Sequence, residues 1–85
     1  MKRVIVANDD YYFGKDEYER YHELVKENLS GVIISKRVSD DGKPGAIKDE
    51  AEKLNMDLYD LLRCIEGMCY NGEAKEISDY QYEIL

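Results

Sequence analysis

The feature that most constrains this fold is an apolar stripe between residues 57 and 72. Apolar side chains recur there at positions i, i+3, i+4, i+7, i+10 and i+11: Leu58, Leu61, Leu62, Ile65, Met68 and Cys69. This spacing predicts an amphipathic helix with one face in the core. Asp57 can cap its amino end, and Asn71-Gly72 can end it because glycine accepts a left-handed backbone. A chain of 85 residues leaves room for one small domain, so the other elements must pack on this helix.

Shorter patterns predict those other elements. Tyr80, Tyr82 and Ile84, for example, alternate with polar residues as in a half-buried strand. In chain order we expect an extra amino-terminal strand within residues 1–8, a turn at Asn8-Asp9-Asp10, a helix over 15–29, a strand over 31–38, a helix over 46–54, the helix over 57–70 and a hairpin over 74–84. The sequence therefore predicts a single α+β domain, residues 1–85, in which three helices pack on a small, mostly antiparallel sheet of three to four strands.

The chain shows no signal for a membrane or for secretion. No apolar run approaches the roughly 20 residues of a membrane-spanning helix. Met1-Lys2-Arg3 is not followed by the apolar core of a secretory signal. Two cysteines are too few for a disulfide scaffold. We expect a cytoplasmic protein with reduced thiols and no membrane partner.

Residues 47–65 resemble a helix-turn-helix motif. Four positions carry the likeness, namely a small residue for close helix approach, a turn residue, an apolar residue after the turn and a helix cap: Ala51, Asn55, Met56 and Asp57. With the helix and strand before this pair and the hairpin after it, residues 15–84 resemble a winged-helix domain. The resemblance implies DNA binding through the second helix of the pair and the hairpin.

The residue types at those two places favour a different ligand. The first turn of the would-be recognition helix offers Asp57, Tyr59 and Asp60, and the hairpin turn carries Asp79. Carboxylates there repel phosphates, whereas a recognition helix reads DNA with Arg, Lys, Asn or Gln. DNA binding therefore stays an alternative and is not the leading hypothesis.

The net charge of −7 is distributed unevenly. Residues 9–27 carry −4 and residues 49–85 carry −7, while residues 31–48 carry +2. An acidic chain does not capture nucleic acid broadly, because that needs Lys and Arg to displace counterions. The possible nucleic-acid contacts are five basic residues that could bind backbone phosphates: Lys36, Arg37, Lys43, Lys48 and Arg63.

Tyrosines and acids occur together in this chain, which has eight tyrosines and one phenylalanine. Tyrosine is enriched in protein interfaces because its ring is large and its tip is polar. Neighbouring carboxylates would select a basic partner and speed the encounter. The predicted partner-binding residues are Asp9, Asp10, Tyr11, Tyr12, Asp16, Glu17, Asp57, Tyr59 and Asp60.

Catalytic and metal-binding patterns are weak. His22 is expected to be partly buried and hydrogen-bonded, and no nucleophile or acid can be assigned to it. Cys69 continues the apolar stripe and is expected in the core, while Cys64 is expected on a flank. His22 and Cys64 are competent zinc ligands, but no ligand spacing supports a site. We predict no enzyme, no cofactor and no metal.

The leading hypothesis is a non-catalytic acidic protein that docks on a basic protein partner, one that handles nucleic acid, and inhibits or regulates it. In size, charge and helix-turn-helix-like core the chain is similar in type to small accessory proteins of phages and mobile elements, anti-CRISPR inhibitors among them. Two alternatives stay open: a winged-helix transcription regulator that binds DNA as a dimer, and a dimerisation or scaffold module whose helix-turn-helix face binds protein.

Overall fold

The computed structural model describes the backbone of residues 9–85 and the side chains from residue 15 onward. Within that range the elements are α1 (Asp9–Leu29), β1 (Ile33–Ser35), a 3-10 turn (Val38–Asp40), α2 (Ile47–Lys53), α3 (Leu58–Tyr70), β2 (Ala74–Ser78) and β3 (Gln81–Ile84). The predicted α+β class, with three helices and a small antiparallel sheet, is confirmed for this part of the chain. The strand predicted within residues 1–8 lies outside the described residues.

Helix α1 begins earlier than the predicted residue 15. Asp9 and Asp10, which the sequence suggested for a turn, lie within α1. The preference of aspartate for turns is local and weak, and the helix overrides it here. Gly14 also lies inside α1, although glycine lowers helix stability by about 1 kcal/mol relative to alanine.

The three strands form one sheet in the order β1-β3-β2, with antiparallel neighbours. Tyr82 lies between Ile34 and Glu76, and Ile84 pairs with Ala74. Tyr82 and Ile84 are both buried, as their alternation predicts. Tyr80 lies in the hairpin turn and not in the strand.

Strand β1 is shorter than the predicted range 31–38. It ends at Ser35, and the following residues turn back into the 3-10 turn. The β-branched residue Val38 suggested a strand, yet its exposed fraction is 80%. The hydroxyl of Ser35 donates to Asp40 Oδ2 at 2.6 Å, so a local side-chain bond stabilises the turn in place of a longer ladder.

Helix α3 is the centre of the core. Leu61, Cys64, Ile65 and Met68 have no exposed surface, in agreement with the predicted core-facing helix. Its ends are also as predicted. The Asp57 side chain accepts a hydrogen bond from the Tyr59 amide at 3.0 Å.

The turn between α2 and α3 is tight. Asn55 has φ 58°, the left-handed conformation that asparagine tolerates better than most residues. The Met56 amide then donates to the Ala51 carbonyl at 2.9 Å, and both side chains are buried. The turn residue, the apolar residue and the small residue therefore lie together.

The burial of Cys64 differs from the prediction. Cys64 is fully buried and not on an open flank, whereas Cys69 packs against the core as predicted but is only half-buried. The apolar stripe marks one line along α3, but α1 and the sheet both pack on this helix. The buried face is therefore wider than the stripe and includes the flank on which Cys64 lies.

Helix α1 approaches α3 closely at Gly67. A Cβ atom on Gly67 would lie 2.7 Å from Tyr18 Cβ, which is shorter than any ordinary carbon contact. Tyr18 also donates from its hydroxyl to Glu73 Oε1 at 3.0 Å, and Lys26 forms an ion pair with Glu73 at 3.5 Å. These contacts orient α1 so that its opposite face is turned to solvent.

Candidate functional site

The solvent face of α1 carries a line of carboxylates, which we call the acidic row. Its members lie at positions i, i+3, i+7 and i+11 and are all exposed: Asp16, Glu19, Glu23 and Glu27. Residues at this spacing lie on one face of a helix, and eleven residues span about 16 Å along the axis. Only Asp16 belongs to the predicted partner-binding set. The other three could have been found from the same periodicity applied to charged residues.

The amino end of α3 lies beside the acidic row. A hydrogen bond to Tyr21 raises the pKa of Arg20, and the nearby carboxylates of Asp16 and Asp60 raise it further. Arg20 therefore lies within electrostatic range of both acids, which are 44 positions apart in the sequence. The structure brings these two predicted binding residues to the same side of the molecule.

The other predicted partner-binding residues differ in how exposed they are and in whether they already have a partner within the fold. Tyr59 is 60% exposed, but Asp57 accepts the cap bond of α3 and Asp60 is 3.9 Å from Arg63. Glu17 is half-buried, and its Oε1 is buried without a hydrogen-bond partner among the described residues.

Four predicted residues lie within α1 but have side chains outside the described part of the chain: Asp9, Asp10, Tyr11 and Tyr12. The acidic surface that can be defined is therefore the acidic row together with Tyr59.

Two of the predicted basic residues lie against tyrosines of the hairpin. Lys36 Nζ donates to Tyr82 Oη at 3.1 Å, and Arg37 Nη1 donates to Tyr80 Oη at 3.1 Å. Each cation also faces the ring of its tyrosine, Arg37 at 4.2 Å from the centroid and Lys36 at 5.3 Å. The hydrogen bond to Tyr82 raises the pKa of Lys36. Both charges are thus engaged within the fold.

The remaining basic residues lie on other elements. Lys43 lies in the loop before α2, 3.6 Å from Asp40, and Arg63 lies on α3 and pairs with Asp60. Lys48 is exposed on α2. The predicted nucleic-acid contacts are therefore divided among separate places, and most of them have an acidic or aromatic neighbour.

The two cysteines and His22 are held within the fold by burial and by a hydrogen bond, respectively. Burial, followed by the charges of Glu73 and Glu17, raises the pKa of Cys64 to about 12. Burial, followed by two further glutamates, raises the pKa of Cys69 to about 11. His22 Nδ1 must donate to the Tyr18 carbonyl at 2.8 Å, because a carbonyl only accepts, and its ring stacks on Tyr18. The prediction of a half-buried, hydrogen-bonded histidine is confirmed.

Among residues 15–85, no three His, Cys, Asp or Glu side chains are grouped in a way that could hold a metal ion. No helix in the described part of the chain combines the length and the apolar character needed to span a bilayer. Comparison of the chain with models of protein families, with curated proteins and with solved structures gives no match. Functional inference therefore depends on the residues and their geometry.

Proposed function

We propose that this protein is a non-catalytic binding protein of the cytoplasm that docks on a basic protein partner through the acidic row of α1. The partner is a protein that handles nucleic acid, and docking inhibits or regulates it, as in small phage and mobile-element accessory proteins of the anti-CRISPR type. The observation that carries the proposal is the acidic row itself, four exposed carboxylates in one line.

The electrostatics of the row support a basic partner. Lys15 lies 3.0 Å from Glu19, but both side chains are well exposed, and such surface pairs contribute little. The charge of the row therefore remains available to an approaching protein. Complementary charge of this kind speeds association and excludes wrong partners.

Tyr59 supplies the apolar contact area that the carboxylates of the acidic row do not provide. A tyrosine that is 60% exposed offers ring area for a contact that excludes water, and such residues carry much of the binding energy in interfaces. Arg20 of α1 is within electrostatic range of Asp16 in the row and of Asp60, which follows Tyr59 on α3. An interface centred on Asp16 and Asp60 would therefore include both elements.

The proposal is tested by charge reversal in affinity capture from cells that naturally contain the protein. The variant Glu19→Lys/Glu23→Lys/Glu27→Lys removes the row, and the matched control Asp41→Lys/Glu52→Lys/Asp79→Lys makes the same change of net charge at exposed sites elsewhere. We expect wild type and the control to retain a basic protein that the row variant loses and that duplex DNA displaces. Equal capture by all three proteins, with unchanged circular dichroism, would reject the acidic row as the docking site.

A second candidate is a winged-helix DNA-binding regulator. The element order of helix, strand, helix pair and hairpin favours it, and so does the position of Lys36 and Arg37 against the hairpin turn. A protein of this kind should shift random duplex DNA at low salt and lose it steeply as salt rises. No shift at about 50 mM salt would exclude this candidate.

A further inference from the structure

The turn that ends α3 contains the one asparagine of the chain that glycine follows, Asn71-Gly72. The backbone nitrogen of a residue can attack the side-chain amide of an asparagine before it, and a side chain on the attacking residue hinders the approach. The other three asparagines are followed by larger residues: Asp9, Leu29 and Met56. Gly72 is exposed, and a Cβ atom placed on it would have no neighbour within 4 Å. This pair therefore offers the least hindered nucleophile next to an asparagine amide.

The reaction is a spontaneous deamidation that consumes only water. The Gly72 nitrogen forms a bond to Asn71 Cγ, the bond from Cγ to Nδ2 breaks, and the proton of the Gly72 amide leaves with Nδ2 as ammonia. Water then adds to the succinimide ring and opens it at either carbonyl. Residue 71 becomes an aspartate or an isoaspartate, without an oxidant or a cofactor.

The carboxyl end of α3 holds both reacting groups. Asn71 Nδ2 donates to the Gly67 carbonyl at 2.8 Å, and the Gly72 amide donates to the Cys69 carbonyl at 3.3 Å. Both bonds must break before the Gly72 nitrogen can reach Asn71 Cγ. The last turn of a helix opens at a much lower free energy than the whole protein, so ring closure does not require global unfolding.

We propose that Asn71-Gly72 is a deamidation site of the folded protein and that opening of the last turn of α3 sets its rate. The contrast with Asn28 supports this choice. Its Nδ2 also donates to a helix carbonyl, that of Leu24 at 2.8 Å, but Leu29 hinders the attacking nitrogen. The site is thus defined by the glycine, and its rate by the hydrogen bonds of the helix end.

The product weakens the end of α3. A carboxylate at residue 71 cannot donate to the Gly67 carbonyl, and the negative end of the helix dipole repels its charge. An isoaspartate also lengthens the backbone two residues before Glu73, which accepts from Tyr18 and Lys26 of α1. Deamidation therefore loosens the contact between α1 and the start of β2 as the protein ages.

The test incubates wild type at neutral pH, folded and in guanidinium chloride. Peptide mapping by mass spectrometry locates the gain in mass when an amide becomes a carboxyl, and isomerisation at Asp41-Gly42 does not interfere because it leaves the mass unchanged. We expect conversion at Asn71 in both states, about 30-fold slower in the folded protein because two hydrogen bonds must break. In the denaturant Asn71 should convert faster than Asn28 and Asn55.

Three outcomes would each overturn the proposal. They are equal rates in the folded and unfolded protein, no conversion of the folded protein over an incubation that allows for the expected slowing, and a rate in denaturant at Asn71 no higher than at Asn55. Asn71→Gln, whose longer side chain must close a larger ring, should show no gain in mass at residue 71.

The effect of the product is measured on Asn71→Asp, with Asn71→Gln as the uncharged control. Urea denaturation should give an equilibrium constant for unfolding about tenfold higher for Asn71→Asp, because a hydrogen bond is lost and a charge is repelled by the dipole. Equal constants would contradict the weakening of α3. None of these outcomes depends on a partner, so the result is independent of the acidic row.

Discussion

The two charged regions of this molecule use their charges in opposite ways. The carboxylates of the acidic row lie on the outer face of α1 and point to solvent. The cations near β1 have neighbours within the fold, Lys36 and Arg37 the hairpin tyrosines and Lys43 the carboxylate of Asp40. The net charge of −7 is thus distributed unevenly, and the acidic row is a negative surface that attracts cationic groups.

The largest effect we expect concerns the two thiols of α3, whose pKa values are raised first by burial and then by nearby glutamates. A pKa of about 12 for Cys64 against an ordinary 9.0 lowers the thiolate fraction by about a thousandfold, and the thiolate is the reactive form. Alkylation of native protein at pH 8 should be slower than that of unfolded protein by at least this factor, with Cys69 next. Rapid labelling of Cys64 in the native protein would contradict the packing of α1 on α3.

The second prediction concerns the close packing of α1, which carries the acidic row, on α3. Gly67→Val places a side chain where Tyr18 already lies, and overpacking of this kind lowers the free energy of unfolding by about 1–3 kcal/mol. Urea denaturation measures the change, with Glu66→Ala at the adjacent exposed position as the control. A variant as stable as the control would show that α1 does not approach α3 closely.

The third prediction concerns the basic region. Tyr82→Phe removes the hydroxyl that accepts from Lys36 and should lower the free energy of unfolding by about 1 kcal/mol, the typical contribution of one hydrogen bond. Tyr59→Phe is the matched control, because Tyr59 is exposed and should cost nothing measurable. If the two variants unfold alike, Lys36 is not engaged as described, and the contrast between the regions weakens.

The smallest effect should come from the acidic row itself. Glu19→Gln breaks the exposed pair with Lys15 and should change the free energy of unfolding by less than about 0.5 kcal/mol. Glu23→Gln, elsewhere on the row, serves as the comparison in the same denaturation experiment. A loss above 1 kcal/mol would mean that the row stabilises the fold and is not a surface kept for a partner.

The parts of this fold that could be predicted depend on local spacing. The ends of α3, the burial of Tyr82 and Ile84 and the small residue Ala51 all follow from periodicity or from caps within a few residues. The acidic row belongs to the same class, since Asp16, Glu19, Glu23 and Glu27 are spaced along one helix. That α1 includes residues 9–14 could not be predicted in this way, because Asp9, Asp10 and Gly14 are residue types that favour turns.

The stripe of apolar residues on α3 thus determined by itself that the chain has a core helix, because helical geometry repeats within a few residues. The tertiary structure alone decided which flank of that helix is buried, and it placed Cys64 fully inside the core. It also decided that Asp16 and Asp60 share Arg20, and that Lys36 meets Tyr82 across 46 positions. Such contacts depend on how the elements pack, and packing is a property of the whole chain that no local pattern contains.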